Sequence, residues 1–232
     1  GLELADDSPE PDPARLEEMA RTAEAAALEI DGVTQAQGAT ASWGDRDIHL
    51  AATNGFSGGY RRTGASISCV AISGQGTKME REYHGESRTH AADLPDPAEV
   101  GRLAGERAAA MQGARRAKTG TYPVLFDERI SSSLIGHLLI AINGTSIARG
   151  SSWARDLMDR QVLPEALSLT EDPHRKRIAG SRPFDAEGLA TAPRTIVDRG
   201  MLRTWTLDLA TARKLGLTST ANASRSPCLL YT

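Results

Sequence analysis

Hydrophobic residues recur at helical spacing in the first part of the chain. Asp12 can cap a helix, and Pro13 suits its first turn because a backbone N–H there has no partner within the helix. Gly32 ends the pattern. The apolar positions of the stripe are Leu16, Met19, Ala20, Ala23, Ala26, Ala27 and Ile30. This spacing predicts an amphipathic helix that begins after Asp12.

Between residues 33 and 84 the hydrophobic period falls towards two. Ile48, Leu50 and Ala52 alternate with the residues between them. Asn54 and Gly55 tolerate positive φ, as a tight hairpin requires. Further glycines punctuate the segment, which therefore predicts an antiparallel meander of about four strands.

A second helix start follows the meander. Asp96 precedes Pro97, and Glu99 stands at the position of a reciprocal capping acid. The predicted buried stripe of this helix is Val100, Leu103, Ala104, Arg107, Ala108 and Met111. Residues 12–118 thus predict a helix, meander, helix module, preceded by an acidic, proline-containing linker at residues 1–11.

A basic stretch at residues 115–118 marks the boundary to a second module, residues 119–232. Its pattern predicts a short buried strand at 123–127, a nearly enclosed helix at 130–142 and an amphipathic stretch at 153–163. A strand pair, 194–197 with 201–207, and a helix over 210–215 follow. The fold class is α+β, with the second module a partial mixed α/β unit.

Composition narrows the possible functions. The 27 Lys and Arg against 30 Asp and Glu leave a net charge of −3, which argues against direct nucleic-acid binding. Two cysteines are too few for a disulfide framework, so we expect an intracellular, cytoplasmic protein. The chain shows no leader pattern and no apolar run long enough for a bilayer, so we expect neither secretion nor membrane insertion.

The spacing of serine, cysteine and histidine residues gives little indication of a catalytic nucleophile or of a metal site. The chain has no Gly-x-Ser-x-Gly elbow, and Cys69 lies in an alternating run typical of a small buried hydrophobe. His137 has no second histidine one turn away, which favours a hydrogen-bonded core histidine. His84, Glu86 and His90 stay open as an alternative metal site.

Several short segments of the chain form a recognisable series: TNGFSGGY at 53–60, YPVLFD at 122–127, SLIGHLL at 133–139, AING at 141–144, IARG at 147–150, RPFDAEG at 182–188 and RKLGLTST at 213–220. In this order they resemble the PmbA (TldE) branch of the TldD/PmbA metallopeptidase family. The resemblance covers residues 12–225 and implies a fragment that holds the middle domain and part of the C-terminal domain. Residues 226–232 depart from it, so Cys228 is not equated with a ligand.

The resemblance implies a cytoplasmic bacterial system in which a TldD-type and a PmbA-type subunit together degrade or mature small or unfolded peptides, as in microcin maturation and antitoxin removal. It implies zinc in the TldD-type partner, held by a His-Glu-x-x-x-His helix and a distant cysteine. Here His137 would be a vestige of that helix, with Leu138 and Ile142 in place of the glutamate and the second histidine. One histidine cannot hold a catalytic metal, so we expect no metal in this chain and no catalysis by it alone.

The resemblance to the family, together with the missing metal ligands, implies a binding role rather than a catalytic one. A TldD-type subunit, peptides and a second copy of the chain are the expected partners, and neither nucleic acid nor membrane is. The residues expected to form the substrate or partner surface lie in one loop and one turn: Asn54, Gly55, Phe56, Tyr60, Phe184, Asp185, Glu187 and Gly188. The glycines among them also fit plain turns. Two other functions stay open: a homo-oligomeric peptidase with a metal at His84, Glu86 and His90, and a regulatory module that binds DNA gyrase without proteolysis.

Overall fold

A computed structural model describes residues 1–224, which form two packed modules. In the first, helices α1 (Pro13–Leu28) and α2 (Pro97–Ala110) begin where the sequence predicts. The carboxylate of Asp12 accepts from the Ala14 N–H, and that of Asp96 from the Ala98 N–H. The two helices lie against each other through small residues: Ala23, Ala27, Gly101, Ala104, Gly105 and Ala108.

The first sheet has three strands within residues 1–224, not the predicted four. Strands β1 (Val33–Ala51), β2 (Ser57–Ser73) and β3 (Glu80–Arg88) pair antiparallel in that order. The prediction was wrong because β1 continues through its glycines as one strand. The register shifts at β-bulges, one of them between Ala36 and Gly38, instead of the strand ending there. Ile67, Cys69 and Ala71 on β2 are buried against the helices.

The ribbon of β1 and β2 extends beyond the helices. Strand β3 pairs with β2 only from Ser73 to Ala65, whereas β1 continues to pair until Ala51 lies opposite Ser57. The far half of this ribbon carries Ile48 and Tyr60, which line a cleft together with residues of the second module. The extended hairpin therefore brings the first module's residues to the second module.

The second module is built from helices α3 (Glu128–Ala141), α4 (Gly144–Arg149) and α5 (Leu209–Leu215) and strands β4 (Leu169–Glu171), β5 (Arg194–Asp198) and β6 (Met201–Leu202). The predicted pairing of the last two strands is confirmed, although β6 ends at Leu202 and not at residue 207. The predicted final helix is confirmed as α5. Their core consists of Leu138, Ala141, Ile142, Ile147, Ala154, Ile196, Val197 and Leu202.

Three predictions of burial or structure are wrong. Residues 123–127 form no strand and are exposed, Leu125 at 96 %. Helix α3 is not enclosed, because in the part of the chain that the structure describes nothing covers the face that includes Ile130 and Ile140. The amphipathic stretch at 153–163, for which no element type was predicted, consists of turns and irregular backbone. Met111 is exposed because α2 ends at Ala110, while Gly101 and Gly105 occupy the buried stripe.

The segment of residues 2–8, here called the N-terminal clasp, contacts both modules. The Leu4 carbonyl accepts from the Thr63 N–H at 3.1 Å, and the Leu2 carbonyl accepts from the Arg177 N–H at 3.0 Å. The Leu4 side chain is buried. Glu3 forms ion pairs with Lys176 at 2.5 Å and Arg177 at 3.0 Å. Residues that resemble a linker in sequence are therefore held by specific contacts.

Acid is expected to release the N-terminal clasp. Hydrogen bonds from Lys176 and Arg177 lower the pKa of Glu3 to about 2, and backbone and side-chain hydrogen bonds from Ser8 lower the pKa of Asp6. A carboxylate whose pKa is lower in the folded state stabilises it above the unfolded pKa, and this stabilisation is lost as pH falls. For Glu3 the window runs from about 4.5 down to about 2.

Amide NMR signals of Thr63 and Arg177, which donate to clasp carbonyls, measure this release. Both signals are expected to move together as pH falls through that window. Glu3→Gln removes the charge that Lys176 and Arg177 stabilise, so the Arg177 signal should lose most of its pH dependence. Signals that stay constant down to pH 2 in the unsubstituted chain would contradict the assignment.

Candidate functional site

The loop and the turn that the sequence singles out come together in the structure. Phe184 lies edge-on against Phe56, with ring centroids 5.0 Å apart, and edge-on against Tyr60 at 5.4 Å. These three rings are called the aromatic cluster below. Edge-to-face pairs at these separations are favourable because the positive edge of one ring meets the negative face of the other. The cluster joins the tip of the first module's hairpin to the second module.

Local backbone chemistry sets the position of Phe56. The Asn54 side-chain oxygen accepts from the Phe56 N–H at 3.0 Å, and Gly55 takes φ +92° in the turn between β1 and β2. Gly188 lies directly against the Phe56 ring, at φ +79°, and a Cβ there would lie 2.5 Å from Cγ of Phe56. Gly188 therefore has both a conformational and a packing reason to be glycine.

Asp185 and Glu187 hold the turn itself. Asp185 is 2 % exposed, and its carboxylate accepts from the N–H groups of Glu187, Leu189 and Ala223 at 2.9 to 3.0 Å. The Glu187 carboxylate accepts from the Leu209 N–H, the first of helix α5, at 2.8 Å. Both carboxylates thus satisfy backbone donors, and Asp185 is a positioning residue for Phe184.

A cleft of about 600 Å³ opens beside the aromatic cluster. Strand β1 supplies Ile48, His49 and Leu50, β2 supplies Tyr60, and the rest of its wall comes from the second module. The second-module residues are Arg182, Phe184, Asp185, Ala186, Asn222, Ala223 and Ser224. Apolar and aromatic walls with a few polar groups are typical of sites that bind small molecules or single side chains.

A polar network supports the second-module wall. Glu171 accepts from Nε of Arg194 at 2.6 Å and from Nδ2 of Asn222 at 2.8 Å, and Arg194 also donates to the Trp205 carbonyl. Nε of Arg182 and Oδ1 of Asn222 are buried without a hydrogen-bond partner in the described part of the chain. Sequence reasoning missed this network, since no motif links residues so far apart along the chain.

The structure places the candidate histidines apart from the cleft's polar wall. His137 is exposed on α3, so the prediction of a buried core histidine is wrong; the neighbouring Leu138 takes the core position. His84 lies opposite Cys69 in the sheet, and Nδ1 of its ring accepts from Arg107 at 2.8 Å. Burial and then the Arg107 charge lower the pKa of His84.

The alternative metal site at residues 84, 86 and 90 does not form. The lone pair on Nδ1 of His84 is occupied by Arg107, Glu86 pairs with Arg88 at 2.6 Å, and His90 lies near Asp6 and the Glu3 carbonyl. Among residues 1–224 no three His, Cys, Asp or Glu side chains are grouped so that they could hold a metal ion. Cys228 lies outside the described residues.

The helices of residues 1–224 include none with the length and apolar character that crossing a membrane requires.

Comparisons with known proteins agree on one family. Residues 6–112 match the PmbA/TldA metallopeptidase central domain, and residues 119–231 match its C-terminal domain. The Metalloprotease PmbA of Escherichia coli O157:H7 is 35 % identical over 89 % of the chain and 46 % of its own length. The Metalloprotease PmbA homolog of Haemophilus influenzae is 31 % identical, also over 89 % of the chain and 46 % of its own length.

A solved structure from Bacteroides thetaiotaomicron, named as a candidate modulator of DNA gyrase, shares the fold with a TM-score of 0.85 and 27 % identity. The similarity covers 95 % of the chain and 54 % of that protein. The chain thus spans about half the length of the relatives it matches. Two adjoining domain matches and this shared fold lead to one conclusion: the chain belongs to the PmbA/TldD metallopeptidase family.

Proposed function

We propose that the chain is part of a PmbA-type subunit that acts in the cytoplasm with a TldD-type partner on small or unfolded peptides. The observation that carries the proposal is the aromatic cluster, which brings the Phe56 loop and the Phe184 turn to one side of a cleft of about 600 Å³. In this role the chain binds and orients a peptide or a partner surface. Maturation and degradation of peptides are the expected outcomes.

The described residues do not fit the metal that the family name implies. At the helix that resembles the family's metal-binding helix, His137 is exposed, whereas Leu138 and Ile142 belong to the buried core. Substituting a ligand at either position would place a polar group among apolar side chains. We therefore assign the catalytic zinc to the TldD-type partner, and derive no metal-dependent step for residues 1–224.

The cleft can contribute binding without chemistry. Ile48, Leu50 and Phe184 offer apolar walls for a side chain, while Arg182 and Asn222 add polar side chains to the same cleft. A peptide that packs on the apolar walls and hydrogen-bonds to polar groups of the cleft would be fixed in orientation. Residues that bind in this way lower the entropic cost of presenting the peptide to a partner's active site.

Reconstitution with a purified TldD-type subunit tests the proposal. We expect the 232-residue chain to associate with that subunit at micromolar concentration in analytical ultracentrifugation, and to raise its peptide hydrolysis several-fold. The chain alone is expected to hydrolyse no peptide and, after removal of loosely held ions, to contain well below one zinc per chain by elemental analysis. Absence of association for both this chain and its full-length form, or near one zinc per chain, would contradict the proposal.

The name of the Bacteroides relative favours a second candidate, binding of DNA gyrase without proteolysis. The same ultracentrifugation experiment with purified gyrase, in the absence of any TldD-type subunit, separates the two. Association with gyrase alone supports the regulatory function, and association with the TldD-type subunit alone supports the peptidase system. A homodimer of the chain would appear in the sample without either protein.

A further inference from the structure

The face of the first sheet that points away from the helices carries no carboxylate on its three strands. The strand carboxylates are Asp45, Asp47, Glu80, Glu82 and Glu86. Their partners in the register are odd-numbered residues of β2, on the side where Ile67 and Cys69 meet the helices. The opposite side carries Arg46, Arg62 and Arg81. The exposed face is therefore cationic although the whole chain has a net charge of −3.

A concavity of about 330 Å³ lies on this face, here called the glycine-floored pocket. Three successive cross-strand pairs build it: Arg46 opposite Arg62, Gly44 opposite Gly64, and Ser42 opposite Ser66. A Cβ at either glycine would have no described atom within 4 Å, so the floor is open. Ser42 and Ser66 are hydrogen-bonded to each other at 2.7 Å, which leaves one hydroxyl proton free to donate.

The arginine pair is unfavourable without a counter-ion. Like charges directly opposite each other on neighbouring strands destabilise a sheet. The Arg62 guanidinium donates to the carbonyls of Ala179 and Ser181, and its Nε is buried without a partner in residues 1–224. The Arg46 guanidinium makes no hydrogen bond or ion pair with any residue in that range. The Arg62 guanidinium also lies over the Tyr60 ring, with Cζ 5.5 Å from the ring centroid. Neither guanidinium is paired with a carboxylate in residues 1–224, and the donors of Arg46 are unused.

We propose that the glycine-floored pocket binds a carboxylate of a peptide, either its C-terminal carboxylate or a Glu or Asp side chain. This rests on the proposed function in peptide handling. A planar guanidinium can donate two parallel hydrogen bonds to a carboxylate. The serine pair, on the other side of the glycines, adds a hydroxyl donor to the wall of the pocket. Arg88 also lines the pocket, but its guanidinium is paired with Glu86.

The size of the pocket favours a single oxyanion over a polyanion. Phosphate backbones of nucleic acids are bound through many cationic contacts along a groove, whereas here one pair of opposed arginines adjoins one pair of glycines. The extended β1 and β2 ribbon also leads from this pocket to the cleft at Tyr60, on the same side of β2 as Arg62. A peptide held by its carboxylate in the pocket can therefore run along the ribbon towards the aromatic cluster.

Fluorescence anisotropy with dye-labelled peptides tests the pocket on the 232-residue chain alone. The first probe is a short peptide that contains one glutamate and has a free C-terminus. Three further probes replace the glutamate with glutamine, amidate the C-terminus, or carry both changes. Arg46→Gln is expected to weaken binding of the peptide with both carboxylates at least tenfold and to leave the melting temperature equal or higher. Arg81→Gln is the matched control, since Arg81 lies on the same face but donates to Gln37 and does not line the pocket.

The arms of the experiment identify the source of the carboxylate. If only amidation weakens binding, the ligand is a C-terminus; if only glutamine does, it is an acidic side chain; either result supports the pocket. Equal losses with Arg46→Gln and Arg81→Gln, or tight binding of the peptide lacking both carboxylates, would overturn it. Binding of inorganic phosphate, measured by calorimetry, with no measurable binding of any of the peptides would overturn it as well.

A second variant distinguishes loss of binding from loss of folding. The assay with the TldD-type subunit distinguishes failure of the pocket from failure of the proposed function. Arg46→Lys retains the charge and removes the two-pronged donor, so we expect it to fold normally and to bind with intermediate affinity. Affinity equal to that of the unsubstituted chain would contradict bidentate recognition. If the chain binds carboxylates but does not associate with a TldD-type subunit, the carboxylate pocket is supported and the proposed function is contradicted.

Discussion

Gly101→Ala is expected to lower the free energy of unfolding of the first module by about 3 kcal/mol, the upper part of the usual range for overpacking. A Cβ on Gly101 would lie 1.8 Å from the Ala23 carbonyl oxygen and 2.7 Å from the carbonyl carbon. Both atoms belong to the backbone of helix α1, so no side-chain rotation can relieve the clash. The two helices must separate, which uncovers Ala27, Ala104 and Ala108 in the core.

The chain offers a matched control for this substitution in helix α3. A Cβ on Gly136 would have no described atom within 4 Å, so Gly136→Ala adds the same methyl group to a helix interior without contact. Alanine is the better helix former by about 1 kcal/mol, and we expect Gly136→Ala to stabilise by up to that amount. Urea unfolding followed by circular dichroism measures both changes. A loss below 1 kcal/mol for Gly101→Ala would contradict the close helix contact.

This helix contact illustrates what hydrophobic patterning can predict and what it cannot. The start of both helices followed from an Asp before a Pro, because each carboxylate caps a free backbone N–H. The hydrophobic pattern did not predict how closely the helices approach each other. That distance depends on Gly101 and Gly105, and glycine has no side chain that would contribute to a hydrophobic pattern. Periodicity shows which face is buried, and residue size shows how closely another element approaches.

The second module shows a different limit. The apolar residues of 123–127 and of helix α3 predict a covered surface, yet Leu125 and Ile140 are exposed in the part of the chain that the structure describes. A run of apolar residues indicates that a surface favours burial but does not identify what buries it. By contrast, the pairing of β5 with β6 is local, and Gly200 at φ +81° in their turn makes it predictable from sequence.

The candidate site was predictable in its parts and not as a whole. Asn54 and Gly55 indicate a hairpin and Gly188 indicates a turn, each through local backbone chemistry. That Phe56 and Phe184 share one cluster depends on the length of the β1 and β2 ribbon, which carries the hairpin to the second module. The network of Glu171, Arg194 and Asn222 has no local signal at all, because its partners come from separate strands and loops.

Gly188→Ala is expected to disrupt the aromatic cluster and to cost about 3 kcal/mol, the sum of strain at positive φ and of overpacking. Its Cβ would lie 2.5 Å from Cγ of Phe56, the ring atom that side-chain rotation moves least. Phe56 must therefore leave its place against Phe184, and the loop and the turn lose their main contact. We expect association with a TldD-type subunit, or peptide binding in the cleft, to weaken at least tenfold.

Gly55→Ala separates the loss of this contact from backbone strain. Gly55 also has positive φ, +92°, but a Cβ there would have no described atom within 4 Å. We expect this control to cost about 1 kcal/mol, the strain alone, and to leave binding nearly unchanged. Urea unfolding gives the stability of each variant, and sedimentation or anisotropy gives its binding. If both variants lose binding equally, recognition depends on the conformation of the loop and not on the aromatic cluster. If neither variant loses binding although Gly188→Ala loses about 3 kcal/mol of stability, the cluster joins the modules and takes no part in recognition.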